Sequence, residues 1–358
     1  MLSTPLALAL LLAALTPRPP PPVRSPTAPG TPPLIRVEGR GRNPPADQDG
    51  DFLIAPPYVR SVDFSLHPGV PQGMVYRLVL RSSESRFYPG ITRVPPGGPE
   101  NYKPANLAAL RAYPRPWTRT VTVYVPAQYQ TGTPAPMLVE QDGPDAGLPA
   151  VLDNLIAAGR VPPLVAIMIQ NGGGDAQGSE RGLEYDTVSG KYAEWVQAEV
   201  LPRVERECGV RLTRDPDGRA AMGGSSGAAA AFTMAWFHPE WYHRVVSYSG
   251  TFVNQAWPPD PATPHGAWDY HAHLIPENPA QPIRIWMEVG DQDLLISRDG
   301  YHDWVDANNR MAAALRAKGY HYQYVFALGA RHVDRPVREQ TLPEALEWVW
   351  QGYRPSGS

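Results

Sequence analysis

The five residues Gly223-Gly224-Ser225-Ser226-Gly227 constrain this chain more than any other stretch. They stand between Arg219-Ala-Ala-Met222, which reads as a short buried strand, and Ala228-Ala-Ala-Ala-Phe-Thr-Met-Ala235, which reads as a helix. A chain that passes from strand to helix within five residues must turn sharply, and glycine on both sides lets backbone pass where a Cβ would collide. A serine at the crest of such a turn is pushed out of the sheet with its hydroxyl exposed, the arrangement of a nucleophile. The turn requires strands that end at one edge and run into helices, and therefore an α/β architecture.

From about Thr118 the sequence supplies that frame. Short β-rich runs predict strands at Thr120 to Val125, Met137 to Gln141, Leu164 to Gln170, Arg219 to Met222, Arg244 to Tyr248, Ile283 to Val289 and Tyr322 to Ala327. Helical patterns fall between them, at Leu148 to Ala158, Tyr192 to Glu207, Ser226 to Phe237, Asp303 to Lys318 and Leu342 to Trp350. The last opens on Thr341-Leu-Pro-Glu344, a capping box with proline in the first turn. The alternation predicts βα units on a mostly parallel sheet, the α/β-hydrolase fold once the serine turn is included. The Pro-rich, aromatic stretch from Thr251 to Pro282 predicts a lid-like insertion above the sheet (residues 251–282).

The N-terminal third reads differently. An apolar run from Leu6 to Leu15 has the length of a signal-peptide core (residues 1–16) and falls short of the roughly 20 residues that span a bilayer. Residues 17–50 begin with dense proline, including Pro19 to Pro22, and read as a stiff linker. Residues 51–117 read as a β-rich extension, with strand-like stretches at Val59 to Leu66 and Val75 to Arg81 and a Pro/Gly loop near Val94 to Pro99. Residues 118–353 are then the catalytic domain. The reading is of a secreted or periplasmic protein, not held in a membrane once the signal is removed.

Composition narrows the partners. The 358 residues carry 32 basic and 35 acidic side chains, net charge −3, so no global field draws the chain to nucleic acid or an anionic surface. A small, mostly neutral partner fits better. A single cysteine, Cys208, excludes an intrachain disulfide framework and a cysteine-rich zinc site. His271-x-His273 has no third placed ligand, so no metal site is expected and no cofactor is implied.

In this fold the acid and the histidine follow the serine, each on a loop after a later strand. The strand ending at Val289 runs into Gly290-Asp-Gln-Asp293, which offers Asp291 and Asp293; Asp293, deeper in the loop, is favoured. The strand ending at Ala327 runs into Leu328-Gly-Ala-Arg-His332 and places His332 as the general base, oriented by the acid.

The segment from about Thr118 to Tyr353 resembles the putative esterase family of α/β-hydrolases, which includes enterochelin esterases, feruloyl esterases, acetylxylan esterases and mycolyltransferases. The resemblance rests on Pro136-Met-Leu-Val-Glu-Gln-Asp-Gly143, Leu152-Asp-Asn-Leu-Ile-Ala-Ala-Gly159, Gly182-Leu-Glu-Tyr185, the Ser225 turn, His238-Pro and Lys318-Gly-Tyr-His-Tyr322. It implies a serine carboxylic-ester hydrolase that works through an acyl-enzyme, on plant polysaccharide acyl esters of feruloyl or acetyl type, with a siderophore ester, acyl transfer or a non-catalytic binding role as alternatives. It also implies an oxyanion hole. The backbone N–H of Ser226 should supply one donor. The second should come from the residue after the Asp-Gly pair, but that residue is Pro144, which has no N–H. Gly143 or Asp145 is expected to donate instead. The loop Asn171 to Gly178 lacks the ending of a phosphate-binding loop and is read as an active-site rim anchored by Glu184 and Tyr185, and Trp257 and Trp268 are expected to bind substrate.

Overall fold

In the computed structural model, which describes residues 33–94, 109, 111–175, 177–296 and 299–354, ten strands form one central sheet. They are β1 (Ile35–Arg36), β2 (Gly50–Ile54), β3 (Met74–Arg81), β4 (Thr118–Val125) and β5 (Met137–Gln141). The others are β6 (Val165–Ile169), β7 (Arg219–Gly224), β8 (Arg244–Tyr248), β9 (Arg284–Gly290) and β10 (His321–Ala327). The spatial order is β1-β2-β10-β9-β8-β7-β5-β6-β4-β3. Only the pairings of β4 with β3 and with β6 are antiparallel; the remaining neighbours run parallel. Every residue of β5, β6 and β8 is buried, as expected of strands covered on both faces.

Helices supply the cover. On one face α1 (Leu148–Ala157) packs through Leu148, Val151 and Leu155 into a core that also takes in Met222, Val246 and Leu346. On the other, α3 (Ser226–Phe237) and α4 (Trp304–Lys318) contribute Phe232 and Met311 to a second core with Ala221, Val245 and Ile285. Between these in chain order lies the short α2 (Glu180–Tyr185). Helix α3 is buried from Ser226 to Trp236, so its apolar run needs no polar face. The α/β reading therefore holds, with the sheet mostly parallel and helices on both sides. Among the described residues no helix is long and apolar enough to cross a membrane.

Four expectations change. The signal segment and the proline-dense start of the linker lie outside the described residues, as does most of the Pro/Gly loop. Parts of the expected linker and extension join the sheet: β1 and β2 pair in parallel and β2 continues against β10, while β3 closes the opposite edge. The stretch Val59 to Leu66 is not a strand but holds a 3-10 turn, Val62–Phe64. Ser61 Oγ accepts the Asp63 N–H, and Asn154 Nδ2 donates to the carbonyls of Asp63 and Ser65, so side chains satisfy this backbone where a strand partner would have. The expected helix Tyr192 to Glu207 is a run of Lys191–Trp195, a π turn Val196–Val200 and Leu201–Cys208, with the π turn just before Pro202, which cannot donate to the carbonyl four residues back.

The last helix, α5 (Arg335–Trp350), starts seven residues earlier than Thr341-Leu-Pro-Glu344 suggests, since 342 − 335 = 7. Its cap is Asp334, whose Oδ1 accepts the Val337 N–H at 3.3 Å, and Pro336 occupies the first turn. Pro343 is then inside the helix and strips the Glu339 carbonyl of its usual donor. Ser61 replaces it, donating its backbone N–H to Glu339 O at 2.9 Å. A local capping pattern was thus overridden by a contact from 278 residues away in sequence (339 − 61). Replacing the cap, Asp334→Ala, is expected to lower stability by about 1 kcal/mol in denaturant titration.

Candidate active site

The site is built from the loops at the carboxyl edge of β5, β7, β9 and β10. At the end of β7, Ser225 has φ 58° and ψ −128°, a sparsely populated conformation for a residue with a Cβ. Neighbours hold it there. Its N–H donates to Tyr248 O at 2.9 Å, and its carbonyl accepts the Thr251 N–H at 3.1 Å and the Ala228 N–H at 3.0 Å. At Gly223 a Cβ would overlap the backbone of Gly227, so the turn needs glycine there. The turn leads straight into α3, and the N–H of its first residue, Ser226, has no acceptor within the helix.

The acid and imidazole approach from the next two loops. His332 Nε2 is 2.9 Å from Ser225 Oγ, and His332 Nδ1 is 2.6 Å from Asp293 Oδ1. Asp291 is engaged elsewhere: its Oδ1 accepts the Gly329 N–H at 2.7 Å, so it braces the histidine loop without touching the ring. Gly290 makes the approach possible, because a Cβ there would strike the backbone of Ala330. The histidine loop is pinned by the Val333 N–H, which donates to Ser249 Oγ at 2.9 Å, and the edge of Trp304 stands against the ring at 5.9 Å between centroids. Asp293 is almost wholly buried while His332 is partly open. With the Nδ1 proton on the carboxylate side, Nε2 is free to accept the serine proton.

Sequence reasoning missed several neighbours of Ser225. Thr251 Oγ1 lies 3.2 Å from Ser225 Oγ and accepts the Trp304 indole N–H at 3.1 Å. Gln255 Nε2 donates to Ser226 Oγ at 3.2 Å and to Asp186 Oδ2 at 3.1 Å, tying the inserted segment to the residue after the serine. Arg181 lines the cavity of about 440 Å³ in front of Ser225, and its Nη2 donates to Asp142 Oδ2 at 2.8 Å. A lone arginine or glutamine in a loop carries no periodic signal, so nothing in the sequence marked these residues.

The loop after β5 departs from expectation. The Gly143 N–H donates to Ile169 O at 3.0 Å, and the Asp145 N–H donates to Glu140 Oε2 at 3.1 Å. Both groups proposed to replace the missing Pro144 N–H are therefore committed to the fold. The physical reason is local: Gly143 satisfies the last carbonyl of β6, and Asp145 satisfies a carboxylate buried at the end of β5. The Asp142 N–H is likewise taken, by the Tyr185 hydroxyl at 3.2 Å.

The rim loop is stapled, not loose. The Glu184 carboxylate accepts the Gly172 N–H at 3.1 Å and pairs with buried Arg119, and Asn171 Nδ2 donates to Asp142 Oδ1 at 2.6 Å. The two tryptophans do not line the cavity in front of Ser225. Trp257 and Trp268 are both buried, Trp268 packing edge-on against Tyr301 with Arg310 over its ring. They fill the inserted segment because a 32-residue excursion (282 − 251 + 1) rich in short turns needs its own apolar core. His271 is buried beside Trp268, which pushes its pKa down to about 3, while His273 bonds to Glu277. Among the described residues no three His, Cys, Asp or Glu side chains are grouped to hold a metal ion.

Comparison with known proteins places this geometry. No curated protein matches the sequence. The family model described as "Putative esterase" matches residues 115–345. Among solved structures, the enterobactin esterase of Shigella flexneri, determined with 2,3-dihydroxy-N-benzoyl-glycine, is similar at 19% identity and TM-score 0.54, over 81% of this chain and 62% of that one. This chain thus spans less than two thirds of that protein's length. A ferulic acid esterase is similar at 18% identity and TM-score 0.52, over 78% of this chain and 99% of that one. A ferulic acid esterase from the anaerobic fungus Anaeromyces mucronatus, solved without substrate, is similar at 12% identity and TM-score 0.50, over 82% and 96%. At these identities the likeness is one of fold. The match across residues 115–345 goes further: this chain belongs to the putative esterase family.

Proposed function

We propose that the protein is an exported serine esterase in which Ser225, His332 and Asp293 form the catalytic triad. The observation that carries this reading is the unbroken line from Ser225 Oγ to His332 Nε2, 2.9 Å, and from His332 Nδ1 to Asp293 Oδ1, 2.6 Å, at a backbone turn that exposes the serine. Ser225 Oγ attacks the ester carbonyl as Nε2 takes its proton. Asp293 holds the ring and stabilises the imidazolium. The tetrahedral oxyanion is received by the Ser226 N–H, and its collapse expels the alcohol with the proton from His332. Water then repeats the sequence on the acyl-enzyme. Acylated plant polysaccharides of feruloyl or acetyl type are the first substrate class, supported by the likeness in fold to the two ferulic acid esterases. A siderophore ester is second, on the likeness to the enterobactin esterase.

With Gly143 and Asp145 both engaged, the oxyanion hole has one backbone donor, Ser226, and a missing donor costs roughly 3 to 4 kcal/mol of transition-state stabilisation. Esters with good leaving groups are then favoured, because less negative charge has to be held before the alcohol departs. Asp186 and Gln255 matter here, since they clamp Ser226 from behind. Burial raises the Asp186 pKa to about 7, against the opposing pull of the hydrogen bonds from Gln255 and Ser226. A carboxyl so raised keeps its proton in the folded chain where the unfolded chain has lost it. Folding is thereby penalised progressively as pH climbs from about 4, the ordinary aspartate range, to about 7.

Three outcomes follow for measurement. Ser225→Ala should abolish p-nitrophenyl acetate hydrolysis and labelling by a fluorophosphonate probe without lowering Tm; retained turnover would sink the triad. Asp186→Asn, neutral at every pH, should gain Tm over wild type as pH is raised from about 5 to about 8, with the two proteins converging at the acid end. Pro144→Ala restores an N–H beside the nucleophile and should raise kcat for alkyl acetates roughly tenfold or more, and less for aryl acetates. Equal effects on both ester types would argue against a one-donor oxyanion hole.

A further inference from the structure

The cavity in front of Ser225 does not end at the loop after β5. Pro144, Asp145 and Arg338 form one of its walls and also wall a second cavity of about 510 Å³, so the two adjoin across a thin ridge. The second cavity is further lined by Arg60 and Phe64, by Ala146, Gly147 and Ala150 at the start of α1, and by Arg335 and Glu339 near the start of α5.

The two spaces carry opposite charge. Around Ser225 the acidic lining groups are Glu140, raised by burial, and Asp142, Asp145 and Asp175, against the guanidinium groups of Arg181 and Arg338, so carboxyls outnumber guanidinium groups even with Glu140 set aside. In the second cavity they are three guanidinium groups, Arg60, Arg335 and Arg338, against Asp145 and Glu339. Arg338 is already matched, at 2.8 Å from both Glu140 and Asp145. That leaves one carboxylate for two arginines: Glu339 is 2.8 Å from Arg335 and 3.5 Å from Arg60. Arg60 is held in place over the Phe64 ring, and its Nη2 donates to Phe64 O at 3.2 Å. A free carboxylate is repelled beside the nucleophile and attracted one cavity further on.

We infer that the second cavity is a subsite for a carboxylate carried by the ester substrate, held by Arg60 and Arg335 while the scissile bond lies at Ser225. This rests on the esterase reading above and sharpens it to an acidic substrate. The carboxylate has two possible sources, a uronate on the alcohol side or a terminal acid on the acyl side, and both present the same group to the arginines. Arginine suits either, since its fork matches a carboxylate in two-point contact.

The test compares matched pairs of substrates within one protein. One arm uses acetylated methyl glucuronoside against acetylated methyl glucoside. The other uses p-nitrophenyl monoesters of dicarboxylic acids of increasing length against their methyl-capped forms. The ratio of kcat/KM, charged over neutral, does not depend on the fraction of enzyme folded. In wild type it should exceed about 10 in one arm, which names the source, and should fall with added salt, as expected when a charged group is attracted through solvent. In Arg60→Gln with Arg335→Gln it should collapse toward 1, and each single variant should lie between. A wild-type ratio near or below 1 in both arms overturns the subsite, as does a preference that survives in the double variant. If no ester is turned over by wild type, the esterase reading itself has failed and the subsite falls with it, a result distinct from turnover without discrimination.

Discussion

The backbone of Ser225 is the constraint on which the rest of the site depends. A residue at φ 58° and ψ −128° relaxes unless its surroundings fix it, and here the fixing bonds come from β8 and the segment after it, through Tyr248 O and the Thr251 N–H. The strain is therefore carried by the neighbouring strand of a parallel sheet, which only forms when the whole α/β frame is in place. Small residues along β7 and at Gly227 let α3 start directly beneath the serine, so the turn and the helix N-terminus coincide. The same geometry that exposes the hydroxyl leaves the Ser226 N–H unspent.

Around that fixed point, each loop at the sheet edge does two things at once. The loop after β9 presents Asp293 to the imidazole and uses Asp291 to brace the loop after β10. The loop after β5 gives up its amides to buried acceptors and so contributes walls where donors were expected. Those walls, Pro144 and Asp145, divide an acidic space at Ser225 from a basic one beside it. The distribution of charge across the ridge, more than the size of either cavity, is what gives the site a direction.

Buried acids recur beneath this edge. Burial raises Glu140, Asp186 and Glu288 above the ordinary carboxylate range, most strongly for Glu288, which lies fully buried in β9 with its pKa further raised by the charges of Asp293 and Asp334. Such groups cost folding free energy as pH rises. Two of them sit behind the site: Glu140 accepts the Asp145 N–H and pairs with Arg338, and Asp186 accepts from Gln255, which also holds Ser226.

Much of this was legible in sequence. Periodicity located the sheet strands from β4 onward to within a few residues, and the glycine-bounded serine, followed in order by an acid turn and a histidine loop, named the three side chains that the fold brings together. Those features are local: hydrophobic pattern, turn chemistry and chain order decide them. What lay beyond reach was set by contacts across long separations. Whether residues 33–54 were a tether or sheet strands depended on an open edge at β10; where α5 begins depended on Ser61 reaching Glu339; and whether Gly143 and Asp145 could donate depended on which buried acceptors had prior claim to their N–H groups. The sequence determined the Ser225 turn and the loops that carry Asp293 and His332, because short strands, tight turns and chain order specify them locally. The oxyanion donors, the burial of Trp257 and Trp268 and the charge on each side of Pro144 were decided by the tertiary structure, because hydrogen-bond competition and burial exist only once distant segments are packed together.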